Sequence, residues 1–169
     1  CTLRDSSFNS DHFDLSKICK KNDISWNYAP DINSDKTIRW MADKNPDVIF
    51  CFGWSKLLGK RLLSLAPLGV VGYHPAALPA NRGRHPVVWA LVLDLRETAS
   101  TFFFMDGGAD SGDILSQRKV EISDEDDATT LYEKITVCAL EQIKTFVLQL
   151  KSGEFTRTIQ DGSQSNTWR

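Results

Sequence analysis

Along the chain, short unbroken apolar runs alternate with stretches whose apolar residues recur at helical spacing. The runs read as strands and the spaced stretches as helices with one inner face. Leu15 to Lys21 is expected to form a short helix and Ile24 to Tyr28 a strand. Ser34 can cap a helix whose Ile38, Met41 and Ala42 share a face, and that helix should stop near Asn45-Pro46, because the residue before proline avoids helical geometry. Asp47 to Gly53, DVIFCFG, has the look of a strand buried on both faces. Ser55 is placed to cap the next helix, with Leu58, Leu62 and Leu65 inside. Leu68 to His74, LGVVGYH, is a second buried strand. The loop PAALPANRGRH leads to Pro86, which suits a first helical turn, and Trp89, Val92 and Leu93 should pack from that helix onto the sheet. Thr98 to Asp106 is a third strand, followed by the glycine-rich turn GGADSG and a partly alternating strand from Asp113 to Ile122. Thr130 and Glu133 fit a capping box at the start of a long helix with Leu131, Ile135, Cys138, Phe146 and Leu150 inward.

This alternation argues for an α/β fold with a mostly parallel sheet. A chain of 169 residues suits one such domain, over residues 1–150, with a polar tail over 151–169. The net charge of -2 excludes a broad basic field of the kind that binds nucleic acid. No apolar run is long enough to cross a bilayer, so no membrane is expected, and the opening residues carry no signal-like stretch. Cys1, Cys19, Cys51 and Cys138 form no CxxC pair and no zinc spacing. Cys51 and Cys138 lie in apolar runs as small core residues, which points to a reduced, cytoplasmic setting. The acidic run SDEDD, Ser123 to Asp127, reads as a solvated turn without metal-ligand spacing.

Parallel α/β sheets bind ligands at the carboxyl ends of their strands. His74 ends one strand and Asp110 lies in the turn after another, so the two converge if those strands are neighbours. A carboxylate beside a histidine fixes its tautomer and supports proton transfer. The plainer readings are a strand-end histidine capping a carbonyl and an Asp-Gly turn. Asn81 to His85, NRGRH, is a local basic cluster that either recognises phosphate or carboxylate through Arg82 or Arg84 or is a solvated loop. Phe102 to Phe104 and Trp54 read as core before they read as ligand platforms.

Two segments, HPAALPANRG and MDGGADSGDIL, together resemble the formyltransferase family that uses 10-formyltetrahydrofolate. The family pattern N-x-H-P-S-L-L-P-x-x-R-G is matched by His74, Pro75, Leu78, Pro79, Arg82 and Gly83. Its second pattern, M-D-x-G-x-D-T-G-D-I-L, is matched by Met105, Asp106, Gly108, Asp110, Gly112, Asp113, Ile114 and Leu115. The resemblance covers nearly the whole chain. It implies a Rossmann-like domain, direct formyl transfer to an amine through a tetrahedral intermediate, and neither a metal nor a covalent enzyme intermediate. His74 and Asp110 take the places of the family's catalytic pair, His74 donating to the oxyanion and relaying the proton, Asp110 orienting the ring. The folate is expected along Phe104, Met105, Asp106, Gly108, Ala109 and Gly112, and the acceptor along Asn81, Arg82, Gly83 and Arg84.

The resemblance has departures. The family's asparagine two residues before the histidine is Gly72 here, and the serine of H-P-S is Ala76. Losing an oxyanion donor costs about 100- to 1,000-fold in rate, with Asn81 or a backbone amide near Gly72 as conceivable substitutes. CTLRD resembles the end of the family's second strand, which implies a first strand and helix before Cys1, and QDGSQSNTWR resembles a segment leading into further sequence. A sheet lacking its first strand would expose unpaired backbone, so this stretch alone is expected to be poorly soluble. The expected acceptor is a small-molecule amine, a nucleotide-linked amino sugar first, methionyl-tRNA second and glycinamide ribonucleotide third. A folate- or nucleotide-binding pseudoenzyme is the reading outside enzymology, and a homodimer is left open.

Overall fold

The structure is a computed structural model that describes residues 1–5, 12–54 and 56–168. Its helices are α1 (Ser16–Lys21), α2 (Asp35–Ala42), α3 (Lys60–Leu63), α4 (Pro86–Val92) and α5 (Ala128–Ser152). Its strands are β1 (Ile49–Cys51), β2 (Val70–His74), β3 (Arg82–Gly83), β4 (Glu97–Phe104), β5 (Ile114–Glu121) and β6 (Thr167–Trp168). Four of them form one sheet in the order β1-β2-β4-β5, and β3 pairs with β6 in a second, two-stranded sheet. This is the α/β class that the alternation predicts, in the Rossmann-like form that the resemblance implies.

Strand direction needs a correction. Parallel pairing joins β1 to β2, β3 to β6, and Thr2 to Tyr28 in an isolated bridge. The pairs β2–β4 and β4–β5 are antiparallel. The connection between β2 and β4 does not cross back over the sheet: the chain leaves through the loop after His74 and returns through α4, seven residues and about 10 Å of helix. Thr101 pairs with His74 and Phe104 with Val71, so β4 begins at the end where β2 stops. Tyr28 makes only the single bridge to Thr2, so Ile24 to Tyr28 is not a strand.

The long helix sits where its pattern puts it. Leu131, Ile135, Phe146 and Leu150 are buried, joined by Gln142. Its start lies a turn earlier than expected: Asp127 is the N-cap and Thr130 completes the capping box. The side chain of Asp127 accepts from the Thr130 N–H at 2.9 Å, and the Thr130 hydroxyl accepts from the Asp127 N–H at 3.0 Å. Ser34 caps α2 as predicted, its hydroxyl accepting from the Thr37 N–H. The position of Ser55 lies outside the described residues. In α4, Val87 and Ala90 face the core while Val92 and Leu93 are exposed, the reverse of expectation for those two, and Trp89 stacks on Trp168 instead of the sheet.

Three apolar clusters hold the layers together. Phe102, Phe104, Leu115 and Val71 pack under Phe146 and Leu150 of α5. Val87 and Ala90 meet Val120, Ile122, Leu131 and Ile135. Val70, Leu58, Leu62, Met41 and Ile32 form a third cluster, with Trp54 and Met105 against it. β1 is an edge strand, and Phe50 and Phe52 stay about 40% exposed (41% and 44%), which corrects the expectation of burial on both faces.

Candidate active site

His74 ends β2 and is 5% exposed. The loop after it is pinned to the sheet. The Thr101 hydroxyl donates to the Ala76 carbonyl at 2.7 Å, and the Gln117 amide donates to the Leu78 carbonyl and the Thr101 hydroxyl, each at 2.9 Å. The loop then turns back through Asn81, which adopts the left-handed conformation at φ 59°. That turn aims the Asn81 carbonyl at the ring: it accepts a 2.8 Å hydrogen bond from His74 Nε2. A carbonyl only accepts, so Nε2 carries a proton and Nδ1 is the nitrogen presented to the rest of the site.

Asp110 reaches Nδ1 from the turn after β4. The hairpin closes where the Phe104 N–H donates to the Asp113 carbonyl at 2.8 Å. Gly112 is obligatory there, because a β-carbon would come within 1.7 Å of the Phe104 carbonyl oxygen. Asp106 braces the turn from inside, accepting from the Gly108 N–H at 2.9 Å and the Ser111 hydroxyl at 2.7 Å. Asp110 is left-handed as well, at φ 55°. Non-glycine residues in this region cost of order 1 kcal/mol, and they gather where surrounding structure over-determines a functional geometry. One Asp110 carboxylate oxygen accepts from the Gly83 N–H at 3.0 Å and lies 3.8 Å from His74 Nδ1, beyond hydrogen-bond reach but within ion-pair range.

The convergence of His74 and Asp110 therefore holds, by a different route. Their strands are neighbours but end on opposite sides, with Met105 beside Val70. The turn folds back along the strand and carries Asp110 to the level of His74.

The other sequence candidates divide. Gly83 contacts Asp110. The Arg82 guanidinium turns inward to the Gln160 side chain at 2.7 Å, whereas Arg84 is exposed. The Asn81 amide is engaged away from the pair, its oxygen accepting from Trp168 Nε1 at 2.8 Å and from the Asn166 amide at 3.3 Å, so as a substitute oxyanion donor it is misdirected. Asp106, Gly108 and Ala109 are exposed on the turn, and Gly112 is buried within it. Phe104 is core: its ring is 4% exposed, with the Arg157 guanidinium 3.5 Å from its centroid, which leaves only its backbone for a ligand. Met105 covers Gly72. Trp54 packs against the third cluster with its indole N–H buried and unpartnered.

The polar tail was the part missed. It runs back over the site, with Gln160, Asn166 and Trp168 all bonded to the loops that hold the pair. The local signal is Trp168, a large aromatic that closes the polar run from Gln160 to Thr167. Burial pushes the Cys51 thiol up to about 11, which keeps it protonated among its apolar neighbours. Among the described residues no cluster of His, Cys, Asp and Glu could hold a metal ion, and no helix is long and apolar enough to cross a membrane. Two hollows of about 540 and 210 Å³ lie away from the pair, both bordered by Arg96, Ile122 and Ser123.

A family model described as formyl transferase matches residues 12–147, which spans α1 to most of α5 and includes both site segments. The chain belongs to the formyl transferase family. It is 30% identical over 135 residues to a methionyl-tRNA formyltransferase of Ruminiclostridium cellulolyticum, covering 80% of this chain and 43% of that protein. The chain thus spans less than half the length of that relative. A solved glycinamide ribonucleotide transformylase from Geobacillus kaustophilus is 26% identical with a TM-score of 0.72, covering 80% of this chain and 76% of that one. An N-formyltransferase from Helicobacter canadensis, solved with folinic acid and dTDP-3-aminofucose, is 17% identical with a TM-score of 0.76, covering 99% and 58%. This last likeness is one of fold.

Proposed function

We propose that this chain transfers a formyl group from 10-formyltetrahydrofolate to an amine, with His74 and Asp110 as the reacting pair. The observation that carries this reading is the 3.8 Å approach of the His74 ring to the Asp110 carboxylate, made by the two segments that match the family pattern. The turn suits a folate, because its exposed backbone over residues 106–109 offers amide edges to a flat heterocycle. The bound folate would supply the formyl carbon and the nitrogen that leaves it.

The roles follow from access. The Asp110 side chain is 23% exposed and that of His74 only 6%, so an incoming amine meets the carboxylate first. Asp110 accepts the proton the amine must lose. His74, held at Nε2 by Asn81, presents Nδ1 beside it, and in the imidazolium form that pairs with the adjacent carboxylate Nδ1–H offers a donor to the charge that develops on the formyl oxygen. In balance, an amine–carbon bond forms, the bond from formyl carbon to carrier nitrogen breaks, and one proton passes from the amine to that nitrogen.

A nucleotide-linked amino sugar is the first acceptor. Supporting it are the fold likeness to enzymes solved with such sugars and exposed Arg84 at the lip of the Asn81 loop, suited to a diphosphate. Methionyl-tRNA is the second, supported by the 30% identity to an enzyme of that name. Gly72 favours a further reading, a binding protein with weak or no turnover.

The test is titration with 5-formyltetrahydrofolate, then assay of transfer to nucleotide amino sugars and to methionyl-tRNA. Transfer that falls about 100- to 10,000-fold in His74→Ala and Asp110→Ala supports the enzyme. Binding without transfer supports the pseudoenzyme, and full activity in both variants overturns the site.

A further inference from the structure

Gln160 bonds to both segments that frame the pair. Its amide nitrogen donates to the Asp110 carbonyl at 2.9 Å and to the Gly112 carbonyl at 2.6 Å. Its amide oxygen accepts from the Arg82 guanidinium at 2.7 Å. One planar group with two donor hydrogens and an acceptor thus ties the turn after β4 to the loop after β2. Glutamate would keep the acceptor and lose both donors; alanine would lose all three bonds.

The turn needs such a tie. Residues 106–109 are exposed, and Asp110 is held left-handed, a conformation that an unsupported non-glycine residue leaves readily. The carboxylate itself has one backbone donor, the Gly83 N–H. Gln160, in contrast, sits on an anchored segment. Thr158 pairs with Ile114 through two backbone hydrogen bonds of 2.8 and 2.9 Å. Arg157 stacks on Phe104 and donates to the Leu68 carbonyl at 2.9 Å. The tail is thus fixed before and after Gln160, since Arg82 N–H donates to the Asn166 carbonyl at 3.0 Å beyond it.

We infer that Gln160 is a positioning residue, which holds the Asp110 turn against the Asn81–Arg84 loop and keeps the carboxylate opposite His74. This role in the reaction rests on His74 and Asp110 being the reacting pair.

Amide hydrogen exchange, measured on the chain without folate or acceptor, tests it. The Gly83 N–H reports the Asp110 carboxylate, and the neighbouring Arg82 N–H reports the tail strand. In Gln160→Ala and Gln160→Glu, Gly83 should exchange at least about tenfold faster, approaching its rate in Asp110→Ala, while Arg82 keeps its protection. In transfer assays the same variants should lose up to about 100-fold in kcat with little change in KM for the amine. Unchanged Gly83 protection in the Gln160 variants overturns the inference. So does joint loss of Gly83 and Arg82 protection, which would make Gln160 a tail anchor, and so does unchanged kcat in variants whose Gly83 is freed. If Asp110→Ala leaves Gly83 protected, the contact being positioned does not exist. Absence of transfer in the unmodified chain would refute the proposed function, while the exchange pattern would still decide whether Gln160 places Asp110.

Discussion

Met105 lies over Gly72: a β-carbon at residue 72 would come within 2.9 Å of the Met105 Cγ and 3.1 Å of its sulfur, with the Phe103 ring also at 3.1 Å. The place where the family carries an amide is therefore filled by a thioether and an aromatic edge. Gly72→Asn should restore a donor near the formyl oxygen and raise the transfer rate by about tenfold or more. It should also cost about 1–3 kcal/mol, because Met105 and Phe103 must shift. Steady-state kinetics and denaturant unfolding of the same variant check both halves, and a rate at or below that of the unmodified chain contradicts the first.

The turn that carries Asp110 depends on one glycine and tolerates change at another. Gly112→Ala drives a methyl into the Phe104 carbonyl and should cost about 2–3 kcal/mol while displacing Asp110. Gly107→Ala meets nothing within 4 Å and should stay within about 0.5 kcal/mol of the original. Unfolding midpoints of the two variants, side by side, check the contrast.

Gln142 is a buried polar group, 1% exposed, on the inner face of α5. Its amide donates to the Ser100 carbonyl at 3.1 Å and to the Ser116 hydroxyl at 2.9 Å, bridging the antiparallel pair β4–β5. Gln142→Ala leaves those acceptors unpaired beside a cavity and should destabilise by about 2–4 kcal/mol, read from chemical denaturation.

At the start of α5, the Lys134 ammonium and then the Ser123 N–H hold the Asp126 carboxyl well below the usual carboxylate range. A carboxyl depressed in the folded state contributes stability above its unfolded value, near 3.9, and loses it as pH falls towards the folded value. Asp126→Asn should therefore lower the melting temperature at neutral pH, with the gap closing once pH drops below about 4. A gap that persists unchanged into strong acid would contradict this origin.

The parts of the fold legible in the sequence were those written in local pattern. The inward row Leu131, Ile135, Phe146 and Leu150 and the Ser34 cap are local periodicity and local hydrogen bonding. The direction of β4 is not local. An apolar run looks the same from either end, and the direction of β4 shows only in its long-range pairing, Thr101 with His74 and Phe104 with Val71. His74 and Asp110 were legible through their motifs. Gln160, Asn166 and Trp168 were not, because their partners Asp110, Asn81 and Arg82 lie far along the chain and no short-range spacing encodes such contacts.

The central claim is that His74 and Asp110 act on the formyl group as one unit, and a double-mutant cycle on the transfer rate measures that directly. If they do, His74→Ala, Asp110→Ala and the double variant should all fall to nearly the same residual rate, since either loss disables the pair. Losses that multiply, so that the double variant is slower by the product of the two single effects, would show two independent side chains and contradict the account.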